Sequence, residues 1–336
     1  MDMTFLLTGI VLLQAATFAV ASPAAVVNSF AQEANAGAVD AAGGKESREQ
    51  TGPSYIDFSI EKLKNLVPDL VGLIPASSQE QLPVILNNMA ETIAGVVPRL
   101  PDLVSHEEVY RAQTAYGPST PQGMLGVSSA GGSLSAILTA QGPRGMEFRY
   151  LILCHRAPGG AVALEESRTD IKGHPIDFEK KGAVRLGSGF AYQWLLFAAA
   201  NQEEFRFRYL GEQDIDGRKT FVVAFAQIPS HVKMPAVFQS NGKQAPYFYQ
   251  GILWIDEATS NIVLLRSDLL EPVKSLHLQE LTTRVRFHSV TIHDFDGAFW
   301  LPSEVHIQID QERLLIEEEH QYSDYHLYHS TARILP

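Results

Sequence analysis

The clearest apolar pattern in the chain is a pair of strand-like runs, residues 251–256 and 262–268, separated by the polar stretch 257–261. Both runs are rich in β-branched, aromatic and aliphatic residues, and the Thr, Ser and Asn between them suit a turn, which predicts a β-hairpin. Successive side chains of a strand point to opposite faces, so Leu253 and Trp254 lie on different faces, yet both are apolar. A sheet that is apolar on both faces must be covered on both faces.

Similar short runs recur between residues 148 and 328, joined by turn-like links. Residues 205–210 alternate aromatic and Arg side chains, and Asp216-Gly217 is a strong hairpin signal. About nine strands with mostly short connections predict an antiparallel meander. The last run, residues 313–328, is the most polar, which is typical of an outer strand whose charges prevent edge-to-edge aggregation.

Two segments ahead of these strands, residues 58–73 and 79–97, carry apolar side chains at helical spacing. Ser59 is a candidate N-cap for the first helix, and Ser77 or Ser78 for the second. Such a helical pair is expected to cover the sheet, so the predicted class is α+β.

The N-terminal residues 4–21 are almost uninterruptedly apolar and end in Ala19-Val20-Ala21, the small-x-small pattern of a signal peptidase site. The basic n-region of a signal peptide is missing, which leaves a retained membrane anchor and a buried helix as alternatives. The modest length of the apolar segment and the lack of flanking Lys or Arg argue against the anchor. Residues 22–51 are rich in small and polar side chains, which favours disorder. We therefore expect a periplasmic or secreted protein, cleaved near Ala21, without a membrane span after cleavage.

The predicted domain organisation follows from these changes in pattern. It comprises a signal peptide (1–21), a disordered linker (22–54), a helical segment (55–105) and a curved antiparallel β domain (106–336). A formal net charge of −12 argues against nucleic acid as a partner, since nucleic acid demands a basic patch.

Residues capable of catalysis or metal binding form no strong constellation in the sequence. Cys154 is the only cysteine, which excludes an intramolecular disulfide and a Cys-based metal cage, and its neighbour His155 points to the other face of a strand. Among the 11 histidines, His288 and His306 are candidates to approach across neighbouring strands, but solvated strand faces explain exposed histidines more simply. We expect no metal and no cofactor.

A resemblance to a known family rests on three stretches. Residues 209–223, the hairpin that begins with Gly251-Ile-Leu-Trp-Ile-Asp256, and Trp300-Leu-Pro-Ser-Glu-Val305 together resemble the strand–turn–strand pattern of LolA-like and LolB-like periplasmic lipoprotein carriers. The resemblance covers about residues 145–330. It implies a strongly curved antiparallel sheet, an open half-barrel, with helices covering its concave face. Residues 76–109 are similar to uncharacterised secreted bacterial proteins that append such a domain.

Aromatic side chains supply the candidate ligand-binding residues. An apolar cavity between sheet and helices would be lined by Trp194, Phe197, Phe221, Phe225, Trp254 and Trp300, although aromatic residues also commonly fill a core. The predicted function is a non-catalytic binding module for a lipid or another apolar ligand. The alternative is a cell-envelope structural or protein-interaction module without a ligand. An enzyme is not expected, because the sequence offers no assembled nucleophile and base.

Overall fold

The computed structural model describes residues 9–10, 52–116, 139–156, 162–176, 186–187, 189–240 and 243–328. Apart from Gly9–Ile10, the predicted signal peptide lies outside these residues, as does the predicted linker up to residue 51. In this part of the chain, no helix has both the length and the apolar character needed to span a membrane.

The strands of the described residues are mostly long and all pair antiparallel. In chain order they are β1 (Gly9–Ile10), β2 (Ile74–Pro75), β3 (Leu103–Ala115), β4 (Thr139–Arg156), β5 (Val162–Thr169), β6 (Phe205–Ile215), β7 (Arg218–Gln227), β8 (Ala236–Ser240), β9 (Lys243–Tyr247), β10 (Tyr249–Asp256), β11 (Ile262–Leu269), β12 (Leu278–Thr291), β13 (Ala298–Gln311) and β14 (Leu314–Leu327). The main sheet has the order β2-β6-β7-β10-β11-β12-β13-β14-β3-β4-β5, and β1, β8 and β9 form a small second sheet. The predicted antiparallel arrangement is confirmed.

The predicted hairpin is β10 and β11, in the interior of the main sheet. Trp254 pairs with Leu264 of β11 and with Val222 of β7. Gly251 is required where these strands meet, because a Cβ atom there would lie 1.9 Å from the carbonyl oxygen of Arg266.

One cover of the sheet consists of α1 (Ile60–Leu66) and the 3-10 turn Pro68–Leu70. Ser59 caps α1, as predicted, by accepting a hydrogen bond from the backbone N–H of Lys62. Leu63 and Leu70 of this cover are fully buried in one apolar cluster with Trp254. We call this side of the sheet the α1 face.

The opposite side, the α2 face, is covered by α2 (Leu82–Val96) and by the 3-10 helices Gln193–Phe197 and Ala199–Glu204. Shorter 3-10 turns, Val97–Arg99 and Lys274–Leu276, complete the helical elements of the described residues. Ile85, Met89 and Ile93 of α2 are buried in the same cluster as Leu253 and Ile255. Both faces of the hairpin are therefore covered, as its apolar pattern predicts. The N-cap position of α2 is Gln81, without a side-chain cap, and not Ser77 or Ser78.

The predicted strong curvature is wrong: the sheet is open, as predicted, with β2 and β5 as its two edges, but it does not curl strongly. Helices lie on both faces of the central strands, so the apolar surfaces are buried by two layers and not by curling of the sheet. The prediction for the last strand is also wrong. β14 lies inside the sheet, because β3, which precedes the meander in the chain, pairs along it.

Candidate functional site

Aromatic rings fill the space between the α2 face and its cover. Phe197, carried by a 3-10 helix, lies 4.9 Å from Phe225 and 5.4 Å from Phe205 between ring centroids. Phe205 also contacts Tyr249, at 6.2 Å. These distances and tilted geometries are those of close aromatic packing, so this part of the cover docks as a core would.

The six aromatic residues predicted to line a cavity are divided between the two faces. Trp194, Phe197 and Phe225 are buried in the α2-face cluster, and Phe221 packs against it. Trp254 belongs to the α1-face cluster, and Trp300, which is partly buried, packs against both clusters. The division follows from strand register. Trp254 pairs with Val222 and lies on the same face as that residue. The side chains of Phe221 and Val223, the chain neighbours of Val222, point to the opposite face.

A small apolar gap remains beside α2, where the helix passes over the turn of the hairpin. Its walls are Met89, Ile93, Val96, Trp194, Ile262 and Trp300, and its rim is Thr92, Ser260 and Asn261. The gap has a volume of about 20 Å³, which is enough for one water molecule and too small for a ligand. It brings together Trp194 and Trp300 of the predicted set with apolar residues of the second predicted helix, which were expected to cover the sheet and not to line a cavity.

Hydrogen bonds between α2 and its surroundings are weak or peripheral. Thr92 Oγ1 lies 3.4 Å from the carbonyl oxygen of Thr259, and Gln202 Nε2 donates to the carbonyl oxygen of Leu86 at 3.1 Å. Beyond these contacts, α2 is held by its buried apolar side chains. Apolar contact is non-directional, so α2 can slide or lift more easily than an element that is fixed by a polar network.

A cluster of charged side chains from β3, β5 and β14 is buried on the α2 face. Arg168 Nε and Nη2 donate to the two carboxylate oxygens of Glu107 at 2.5 and 2.7 Å, and Arg111 pairs with Glu318. His320, which is fully buried, lies between the two acids, with Nδ1 2.9 Å from Glu107 and Nε2 3.3 Å from Glu318. Because both ring nitrogens face carboxylates, both must donate, and the imidazole is therefore cationic.

The pKa shifts in this cluster follow its geometry. Burial alone would raise the pKa of Glu107, but Arg168 and His320 lower it to about 2. Burial would lower the pKa of His320, but hydrogen bonds to Glu107 and Glu318 raise it. The group is thus an internally paired ion cluster, and fully buried charges of this kind persist only with such partners.

Glu166 of β5 connects this cluster to the cover. Its carboxylate accepts backbone N–H bonds from Gly189 at 2.5 Å, Phe190 at 3.1 Å and Ala191 at 3.0 Å, and also contacts the hydroxyl of Tyr150. Burial raises the pKa of Glu166 to about 7, although the backbone donors lower it. Glu166 therefore holds the turn that leads into the Trp194 and Phe197 segment.

Sequence reasoning missed the buried ions, although part of their signal was visible. Glu318 and His320 alternate with Glu317 and Glu319 along β14, so one pair had to point inward if both faces of the strand are occupied. These charges were expected to be solvated on an outer strand, so the inward-facing pair was missed. Cys154 and His155 belong to one strand, as predicted. Burial raises the pKa of the Cys154 thiol to about 11.

Comparison with known proteins gives matches of low identity and low TM-score. No protein-family model matches the chain, and no curated protein does either. Solved structures do match. One is an outer membrane lipoprotein-sorting protein domain from Vibrio parahaemolyticus, with 14% identity, a TM-score of 0.32, and coverage of 74% of this chain and 93% of that one.

Two further matches are of the same order. A DUF1329 family protein from Desulfovibrio piger has 11% identity and a TM-score of 0.32, with 74% of this chain and 94% of that chain covered. A LolA superfamily protein from Nitrosomonas europaea has 13% identity and a TM-score of 0.26, with 78% and 96% covered. The LolA-like resemblance predicted from the sequence thus recurs among the solved structures that match, and at these TM-scores no further conclusion rests on it.

Proposed function

We propose that this protein is an exported, non-catalytic binding module that takes up an apolar chain, such as the acyl chain of a lipid, between α2 and the sheet. The gap beside α2 is the observation that supports it, because it combines apolar walls, including Met89 and Trp194, with a polar rim at Thr92, Ser260 and Asn261. Binding sites for small apolar ligands have this composition. Export, to the periplasm or the outside of the cell, follows from the apolar residues 4–21.

Uptake of a ligand requires α2 to move, since ligand sites have volumes of roughly 300 Å³ or more. Exposing Ile85, Met89 and Ile93 would cost about 5–9 kcal/mol, at about 1.5–3 kcal/mol for each buried side chain. Burying about twelve methylene groups of an acyl chain returns about 10 kcal/mol. The two amounts are comparable, so exchange of α2 contacts for ligand contacts is energetically feasible.

A catalytic role is not part of the proposal, because the ionisable groups nearest the cover are already used. Glu107 and His320 are fully buried and satisfy one another. A substrate could reach them only after the cover and the paired ions had separated.

The test is lipid binding by a matched pair of α2 variants. Val96 lines the gap, whereas Val84 is exposed on the same helix. We expect the unmodified protein to bind palmitic acid, detected by native mass spectrometry and by displacement of a fluorescent fatty acid. Val96→Glu places a charge in the apolar gap and should weaken binding at least about tenfold, since an unpaired charge in apolar surroundings costs several kcal/mol.

The control variant Val84→Glu should bind as the unmodified protein does, and circular dichroism confirms that both variants fold. Equal binding by the two variants would place the ligand elsewhere. A protein that neither retains lipid on purification nor takes it up on incubation would refute the proposed function.

A second candidate function, a protein-interaction module of the cell envelope, is favoured by one surface feature. Val71 and Ile74 are 77% and 68% exposed, and the partly exposed Leu66 lies on the preceding helix. Ile74 belongs to β2, an edge of the main sheet, and Leu66 and Val71 precede that strand. Exposed apolar groups beside a sheet edge are typical of protein contacts, and lack of lipid binding would make this the leading function.

A further inference from the structure

A polar cleft opens on the main sheet where β13 and β14 separate. Their pairing ends at Glu304 and Gln321. The register between β12 and β13 shifts next to Ser303, and that between β14 and β3 shifts after Ser323. Asp324, inside the second irregularity, has a φ of 55°, in the left-handed region. Bulges and left-handed residues other than Gly occur preferentially at functional sites.

The cleft has a volume of about 370 Å³. It is lined by Glu108, Ser303, Glu304, Gln321, Tyr322 and Ser323. It is far larger than the gap beside α2, and it lies in the half of the sheet that α1 does not cover.

Three potential metal ligands lie together beside the cleft, and one of them, Glu304, also lines it. His306 pairs with Glu319 directly across β13 and β14, and Glu304 lies two residues before His306 on the same face. One ligand atom from each of Glu304, His306 and Glu319 lies within 4.8 Å of the others. All three side chains are partly exposed, so an ion in solution can reach them.

The donor set suits a divalent transition metal ion. Imidazole nitrogen and carboxylate oxygen are both ligands of zinc and related ions, and three protein ligands leave a position open. Around an ion with bond lengths of about 2.1 Å, neighbouring tetrahedral ligand atoms lie about 3.4 Å apart. Glu304 and His306 already contact each other, and a ligand atom of Glu319 lies within 4.8 Å of both, so side-chain rotation can bring the three groups to this spacing.

Neighbouring groups hold the ligands in place. Gln321 Nε2 donates to Glu319 Oε1 at 2.8 Å, which fixes that carboxylate. The Glu304 carboxylate contacts Nε2 of His306, which restrains both side chains.

Two arginines oppose the binding of a cation. Arg286 Nε lies 3.6 Å from Glu304 Oε2, but Arg286 also pairs with Asp216. Arg284, which pairs across the strands with His306, donates to Asp69 at 2.8 Å. Since each arginine already has another carboxylate partner, the positive charge near the ligands is partly neutralised.

We propose that Glu304, His306 and Glu319 form a binding site for a divalent transition metal ion, with the open coordination position directed to the cleft. A water molecule or an oxygen atom of a polar ligand in the cleft would occupy that position. This site was not predicted from the sequence, which suggested His288 as the partner of His306. The structure instead places Glu319 opposite His306. The site lies on the face opposite α2, so it is independent of the proposed lipid binding.

The test uses tag-free protein titrated with zinc chloride in a calorimeter, and with cobalt chloride in an absorption spectrometer. We expect one saturable site and a visible cobalt spectrum of low coordination number. His306→Gln should weaken zinc binding at least about tenfold and remove the cobalt spectrum, because losing a ligand is at least as harmful as losing its supporting contacts. Glu319→Gln, a second and less disruptive change, should weaken binding in the same direction.

His288→Gln is the matched control, because His288 is an exposed histidine on the neighbouring strand β12. It should bind zinc as the unmodified protein does. The proposal is overturned if the unmodified protein shows no saturable binding, if His306→Gln and Glu319→Gln bind normally, or if His288→Gln is equally impaired. The last result would indicate zinc scattered over surface histidines.

Discussion

Replacing Glu166 by Gln would test whether the buried carboxylate fixes the cover of the α2 face. In the native protein one carboxylate oxygen accepts from Ala191, and the other accepts from Gly189 and Phe190. Glu166→Gln preserves the size of the side chain but turns one acceptor oxygen into an NH₂ donor. If the remaining oxygen keeps the bonds to Gly189 and Phe190, the backbone N–H of Ala191 faces another donor.

The expected loss in the free energy of unfolding is about 2–4 kcal/mol at pH 5.5. At this pH the folded carboxyl is mostly neutral, because burial raises the pKa of Glu166 from its ordinary 4.5 to about 7. One lost neutral hydrogen bond contributes about 0.5–1.5 kcal/mol, and a buried unpaired N–H about 1–3 kcal/mol.

The same shift predicts a pH dependence of definite sign. A raised carboxyl pKa means that the folded protein holds a proton that the unfolded chain has released. The stability due to Glu166 is therefore fully present below pH 4.5 and is lost as the pH rises through 7. Glu166→Gln lacks this slope, so the difference between the two proteins should be smaller at pH 8 than at pH 5.5.

Urea unfolding at both pH values measures the loss, and hydrogen exchange of residues 189–191 shows whether it is local. Glu165→Gln is the control, because Glu165 is exposed on the other face of β5 and contacts only the exposed His155 among described partners. We expect its effect to stay below about 0.5 kcal/mol. Unchanged exchange in Glu166→Gln would refute the anchoring role, and a difference that grows with pH would refute the sign of the pKa shift.

Two further substitutions test the packing of the central hairpin. Trp254→Phe should lower the free energy of unfolding in urea by about 1–3 kcal/mol, because the buried Nε1–H donates to Gln213 Oε1 at 2.9 Å and its loss leaves that oxygen unpaired. Trp300→Phe, at a partly buried position, should lower it by less. The reverse order would contradict this account. Gly251→Ala should prevent folding or lower the free energy of unfolding by about 3 kcal/mol or more, since the added Cβ would meet backbone atoms. Gly95→Ala lies in a helix with open space around the added Cβ and should raise the free energy of unfolding by about 0.5–1 kcal/mol. Equal effects of the two substitutions would refute the steric argument.

Local features of the fold were predictable because they depend on neighbouring residues alone. The hairpin, its two apolar faces and the cap of α1 at Ser59 all follow from spacing and residue type. The first helical segment, residues 58–73, is interrupted at Pro68, because proline cannot continue the backbone hydrogen bonding of α1, and the chain forms a separate 3-10 turn there.

Features that depend on strand register were not predictable. A shift of one residue moves a side chain to the other face, so the sequence could not separate Trp254 from Phe225 or place Glu319 opposite His306. The pairing of β3 with β14 is harder still, because about two hundred residues separate the strands along the chain and no local signal encodes their contact.

The charge balance of the buried cluster explains why its location matters to the cover. Arg111, Arg168 and the cationic His320 carry three positive charges, whereas Glu107 and Glu318 carry two negative ones. Glu166 supplies the third negative charge when it is ionised, and its backbone partners belong to the cover. Docking of the turn at residues 189–191 is thereby coupled to the electrostatics of the sheet, whereas α2 depends on apolar contact. Of the two parts of the cover, α2 is therefore the one expected to yield first to a ligand.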